Sequence, residues 1–185
     1  MSGHNKWSQI KHKKGITDAK KSKIFSKLVR FISVEAKLSK GDINAPGLRA
    51  AIEKAKKVNM PSENIERAIK KAGENEAQMD SITYEAYGPG GVGIIIETLT
   101  DSRNRTAQDV KHILTKNGFI LGGIGSVIWS FTKPARNASH GDAGGEKWEP
   151  VNTISLSDED LELLDKLVEE LEENDDIQDV YTNAE

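Results

Sequence analysis

Between residues 16 and 40 the apolar positions Phe25, Leu28, Val29, Ile32 and Ala36 recur at i, i+3, i+4, i+7 and i+11, the spacing of one helical face. Lys20, Lys23, Lys27 and Arg30, at i, i+3, i+7 and i+10, fall on the opposite face. The pattern predicts one helix over 16–40, ended by Gly41 and Asp42. A second helix is expected from Pro46, a residue suited to a first turn, to Lys57. A third begins near Pro61 and Ser62 and stops at Gly73, with Ile65, Ala68, Ile69 and Ala72 as its buried stripe. Three short helices sharing one core make a small bundle.

After Gly73 the period changes. Residues 82–87 alternate as a strand, Gly88 to Gly91 make a turn, and residues 92–100 form a strand with a more continuous apolar run. Asp101 is placed to cap a helix that runs through Asn117 and closes at Gly118. Residues 125–132 return to strand, and 134–147 carry no period and read as a flexible loop. Residues 149–156 look like a strand. Ser157 to Asp160 is a capping-box-like start to a helix carrying Leu161, Leu164, Leu167, Val168 and Leu171, and 177–183 is a last strand. The expected class is α+β: an N-terminal three-helix domain at 1–78, then a domain at 79–133 and 149–185. That second domain should hold a mostly antiparallel sheet with two helices on one face. Residues 134–148 are the loop between its two parts. No repeat of fixed period appears.

Charge changes the picture more than composition does. The net charge of the 185-residue chain is only −3, with 36% hydrophobic and 30% charged residues. Yet residues 1–72 hold 18 Lys and Arg against 6 Asp and Glu, a net of +12, and residues 73–185 hold 8 against 23, a net of −15. Such asymmetry points to a polyanion partner for the basic half, or to two surfaces that attract each other. The chain has no Cys, so disulfides and thiolate metal sites are excluded. Its longest aliphatic run is Ile94-Ile95-Ile96, so no membrane span is expected. No apolar stretch follows the basic N-terminus, so a secretory signal is not expected and the cytosol is the expected compartment.

Gly88-Pro89-Gly90-Gly91-Val92-Gly93 matches the letters G-x-G-x-x-G. A dinucleotide fingerprint needs a helix after it to hold the pyrophosphate, and here a strand follows, so a hairpin turn is the reading. With four His (His4, His12, His112, His140), no H-E-x-x-H, no G-x-S-x-G and no G-x-x-x-x-G-K-[ST], no catalytic set is evident and no enzyme, metal or cofactor is expected. The carboxylates of 158–179 read as a solvated helix face, with divalent-cation binding as the lesser alternative.

Two stretches suit phosphate. Arg103-Asn104-Arg105 opens a helix, whose N-terminus is already positive, so the two cations want an anion nearby. Asp101 and Asp109 could supply it internally; a phosphate is the functional alternative. The N-terminal segment combines Lys6, Lys11, Lys13, Lys14, Lys20, Lys21, Lys23 and Lys27 with Trp7, His4 and His12. Cations neutralise phosphates, and flat rings offer surfaces for a base or ribose.

The stretches GHNKWSQIKHKKG, DAKKSKIFSKL, YEAYGPGGVGIIIETLTDSRNRT, GGIGSVIWSF and DDIQDVYTNAE together resemble the YebC family over most of the chain. The resemblance implies an N-terminal three-helix domain followed by α+β domains. It also implies a regulator of gene expression: some members are described as probable DNA-binding transcriptional regulators, others as ribosome-associated translation factors. Carried over, the basic opening falls on His4, Lys6, Trp7, Lys11, His12, Lys13 and Lys14, and an arginine pair on Arg103 and Arg105. With Lys20, Lys23, Lys27 and Arg30 these are the expected nucleic-acid contacts. Typical members carry a further α+β domain after the GSVIWSF-like strand, where this chain has only residues 133–148. DNA and ribosomal RNA both stay open as partners, a protein–protein adaptor using the charge dipole is a further alternative, and a monomer is favoured.

Overall fold

A computed structural model describes residues 18–74, 79–133 and 147–185. His4, Lys6, Trp7, Lys11, His12, Lys13 and Lys14 lie outside the described residues, as does most of the expected loop at 134–148; Lys20 lies in a described helix but its side chain does not.

Helix α1, Asp18–Leu38, buries Leu28, Ile32 and Ala36. It ends where Lys40 and Gly41 take φ of 53° and 81°, and the Gly41 N–H donates to the Ala36 carbonyl at 2.7 Å. That bond satisfies a carbonyl the helix end leaves open. Helix α2, Pro46–Lys57, presents Leu48, Ala51 and Ala55, and α3, Ser62–Glu74, presents Ile65, Ala68 and Ala72. With Met60 these residues close one apolar core, and the alanines let the helices approach closely.

The second unit is built on the hairpin β1, Asp80–Tyr87, and β2, Gly93–Thr100, paired from Asp80↔Thr100 to Tyr87↔Gly93. Its turn uses Gly90 at φ 60° and Gly91 at φ 79°, a conformation that glycine adopts without a Cβ penalty. A strand follows the G-x-G-x-x-G letters, so no helix dipole stands behind them. Helix α4, Arg103–Lys116, leads to β3, Ile120–Leu121, which pairs with β1. A two-stranded ribbon joins β4, Phe131–Thr132, to β5, Glu149–Pro150. Helix α5, Asp158–Glu172, leads to β6, Ile177–Thr182, which pairs with β2. The antiparallel sheet therefore runs β3-β1-β2-β6.

Strand β2 is buried on both sides, which explains its unbroken apolar run. Ile94 and Ile96 face α4 and α5 and join Val110, Leu114, Leu164 and Leu167 in the main core. Ile95 points the other way, to Val127 and Phe131. Ser157 caps α5, its hydroxyl oxygen accepting from the Asp160 N–H at 3.1 Å.

Three local expectations change. Residues 125–132 are not one strand: Ile128–Ser130 is a 3-10 turn and only Phe131–Thr132 pairs. The cause is Glu85, a buried acid whose carboxylate accepts from the N–H groups of Gly125, Val127 and Ile128 at 2.7, 2.7 and 2.9 Å. Those donors are thereby lost to any ladder, and the backbone wraps around the carboxylate. Residues 149–156 form a ladder only at Glu149–Pro150, with the Val151 N–H donating to the Ser130 carbonyl at 2.9 Å, and an isolated bridge at Ile154↔Ala184. Asp101 does not cap α4; Ser102 holds that position and the Asp101 carboxylate turns to Arg105.

Candidate nucleic-acid interface

The cationic face of α1 follows from its helical spacing, and the fold turns part of it toward the α+β unit. The Lys23 ammonium donates to the Glu173 carbonyl at 2.6 Å and lies 3.7 Å from the Asp175 carboxylate. The Arg30 guanidinium donates to Asp176 and, at 3.4 Å, to the Leu99 carbonyl. Lys27 lines a cavity of about 550 Å3 between α1 and the sheet, with Phe31, Lys54, Glu97, Gln178 and Tyr181. The spacing puts these cations on the face opposite the helix's own core; at Lys23 and Arg30 the structure places an acidic turn against that face. Amphipathic spacing identifies the face turned away from a helix's own core, and a second domain can still cover that face.

The arginines at the start of α4 are held by acids of their own unit. Arg103 forks onto Asp80 through Nε and Nη2 at 2.7 and 3.0 Å. This bidentate pair holds the Asp80 carboxyl below its ordinary range and raises Arg103. Arg105 donates to Asp176 at 2.9 Å and to Asp101 at 2.8 Å, and these bonds raise it too. The Arg103 side chain is still 69% exposed and that of Arg105 48%. Both guanidiniums therefore present an open side to solvent next to the N–H end of α4. Of the two acids expected beside them, Asp101 is used. Asp109 instead accepts from the Asn174 amide at 3.4 Å.

Asp176 ties these groups together and was missed by sequence reasoning. Its side chain is 5% exposed. It receives Arg30 from the bundle, Arg105 from α4, and the hydroxyls of Thr106 and Thr100 at 2.7 and 3.3 Å. Burial pushes its carboxyl up, but donation from Arg105 and Thr106 and the charge of Arg30 hold it below the usual range. Its own N–H donates to the Asn174 side-chain oxygen at 2.8 Å, and its carbonyl accepts from the Leu99 N–H at 2.8 Å, which fixes the turn on the end of β2. An acid 71 residues from Arg105 leaves no local signal of the pairing.

A second surface is uncharged. Residues 118–132 contain no Asp, Glu, Lys or Arg. The Glu85-bound loop displays Ile124 and Trp129 to solvent, the indole N–H donating to the Ser126 carbonyl at 2.8 Å and the Tyr87 hydroxyl to the same oxygen at 2.7 Å. Among the described residues no group of three or more His, Asp or Glu could hold a metal ion, and no helix is long and apolar enough to cross a membrane.

A basic helical bundle joined to an acidic α+β unit through arginines and a shared carboxylate defines the class, and comparison with known proteins supplies the family. Residues 5–75 match the TACO1/YebC protein N-terminal domain, and residues 79–143 and 140–184 match the TACO1/YebC second and third domain. The chain belongs to the TACO1/YebC family. It is 41% identical over 239 positions to the probable transcriptional regulatory protein Teth39_1009 of Thermoanaerobacter pseudethanolicus, covering 100% of this chain and 97% of the relative. A probable transcriptional regulatory protein of Syntrophobacter fumaroxidans is 45% identical over 189 residues, covering 100% of this chain and 72% of that one. The crystal structure of a conserved hypothetical protein, Aq1575 from Aquifex aeolicus, superposes with a TM-score of 0.80 at 36% identity, covering 97% of this chain and 96% of that one.

Proposed function

We propose that this chain is a non-enzymatic, cytosolic regulator of gene expression that works by binding nucleic acid. The observation that carries the reading is the partition of charge, +12 over residues 1–72 against −15 over the rest. With it go two arginines at a helix N-terminus, one exposed and one half-exposed, beside the basic unit. Relatives named as probable transcriptional regulatory proteins agree with it. The contacts assigned are Lys6, Lys11, Lys13, Lys14, Lys20, Lys23, Lys27, Arg30, Arg103 and Arg105 to phosphate, with His4, Trp7 and His12 offering ring surfaces.

Lysine-led contacts to phosphate carry affinity without base readout, which favours a sequence-blind partner. That favours ribosomal RNA, and a translation role, as the second reading beside duplex DNA. We also read the chain as two domains, 1–78 and 79–133 with 149–185, lacking an inserted domain found in longer relatives. Two facts support this: the 239-position alignment exceeds the 185 residues of this chain by 54, and the match to the second and third domain breaks at 140–143.

Sedimentation of tagged protein from lysate through a sucrose gradient, with and without RNase, separates the partners. Cofractionation with ribosomes that RNase abolishes supports the translational reading. Sedimentation at the top of the gradient, together with salt-sensitive binding to duplex DNA, supports the transcriptional one. Absence of binding to either nucleic acid at low salt contradicts both.

A further inference from the structure

We propose that the turn at residues 173–176 is an internal counter-anion. It holds the three-helix bundle closed against the α+β unit by occupying Lys23, Arg30 and Arg105, and a bound polyanion displaces it and opens the seam. The proposal rests on the polyanion reading above and adds its regulation.

The seam is polar. The described apolar clusters divide between the two units, and none includes residues of both the bundle and the sheet. Contacts across the junction include Lys23 on the Glu173 carbonyl and near Asp175, and Arg30 on Asp176 and the Leu99 carbonyl. Beside these contacts lies the cavity of about 550 Å3. One polar group lining it is incompletely satisfied: the buried Gln178 side-chain nitrogen has no hydrogen-bond partner among the described residues. Separation of the two units therefore breaks charge–charge contacts that salt and competing anions weaken.

The chemistry of exchange is matched. A phosphodiester presents two unesterified oxygens to a guanidinium much as the Asp176 carboxylate does, and Arg accepts both in the same planar fork. Arg103, whose side chain is 69% exposed and lies outside the contacts of the 173–176 turn, is open enough to receive the first phosphate. Once a strand is held there, its next phosphates compete with the 173–176 turn at high local concentration. In the closed form Lys23, Arg30 and Arg105 release few counterions on binding, because an internal anion already neutralises them.

The test uses the full chain and two probes of equal length, fluorescent oligo(dT) and oligo(U), titrated at salt concentrations from about 50 to 200 mM. Asp175→Asn combined with Asp176→Asn frees two neutralised cations. The log–log salt slope is expected to steepen by about two, and affinity to fall about tenfold further than wild type across that range. Wild-type binding with an unchanged slope in the double variant overturns the counter-anion but leaves the polyanion reading intact. Binding by neither protein overturns both.

A second measurement does not depend on how that variant folds. The chain has no Cys, so Ser22→Cys and Lys166→Cys place two unique spin labels, one on each side of the seam. Electron–electron distance measurement should show one narrow distance in the free protein and a longer, broader one with saturating oligo(U). An unchanged distance in the bound state overturns the opening.

Discussion

The two cores are built differently. Five of the ten buried residues in the bundle core are alanine, so its helices gain close approach but bury little area per side chain. The main core of the α+β unit has two alanines among thirteen, the rest being Val, Ile and Leu, and β2 contributes from both faces. The larger unit stands on apolar packing and displays its charge; the bundle is lightly packed and leans on charge at its seam. The two units therefore differ in what a lost core side chain or a lost charged contact would cost each of them.

Deleting core volume breaks that comparison most severely. Ile96→Ala should cost the α+β unit about 3 to 4 kcal/mol, and Ile32→Ala a similar amount from a bundle that has less to lose. Urea unfolding followed by amide NMR should then show the bundle signals leaving first in the Ile32 variant while β2 signals persist. One shared transition for both halves would contradict two separate cores.

The buried acid at Glu85 gives the next effect. Burial raises its carboxyl, but three backbone N–H donors hold it below its ordinary value. A depressed folded-state pKa contributes stability above the unfolded value, lost as pH falls through the folded one. Stability of the α+β unit should therefore be flat from neutrality down to about pH 5 and decline below about pH 4.3, with Asp176 adding the same sign. Glu85→Gln should cost about 1.5 to 3 kcal/mol, remove its share of that decline and leave the amides of 122–130 open to hydrogen exchange. Retained protection in that loop would contradict the role given to the carboxylate.

The smallest effect is local. Ser157→Ala removes the cap of α5 and should lower stability by about 1 kcal/mol in thermal melts, without changing salt dependence of binding.

Much of the architecture was legible because it is local. The helix at Pro46–Lys57, the stripe of Leu161, Leu164, Leu167, Val168 and Leu171, and the glycine turn between two strands follow from period and turn chemistry over a few residues. The candidate site was less legible. That Arg103 and Arg105 sit at a helix start with an acid beside them was readable, whereas Asp80 and Asp176 as partners were not, since only the folded sheet brings them close. The turn at Gly125 to Ser130 was hidden for the same reason: Glu85 looks like an ordinary outward residue of an alternating strand.

The measurement that bears most directly on function is equilibrium binding of the intact chain to oligo(U) and to duplex DNA across salt, compared with a Lys11→Ala, Lys13→Ala, Lys14→Ala triple variant. Wild type should bind with a steep negative salt slope, and the triple variant should lose about two to three units of that slope together with its affinity. Equal affinity and equal slope in the two proteins would contradict phosphate recognition by the basic N-terminal segment.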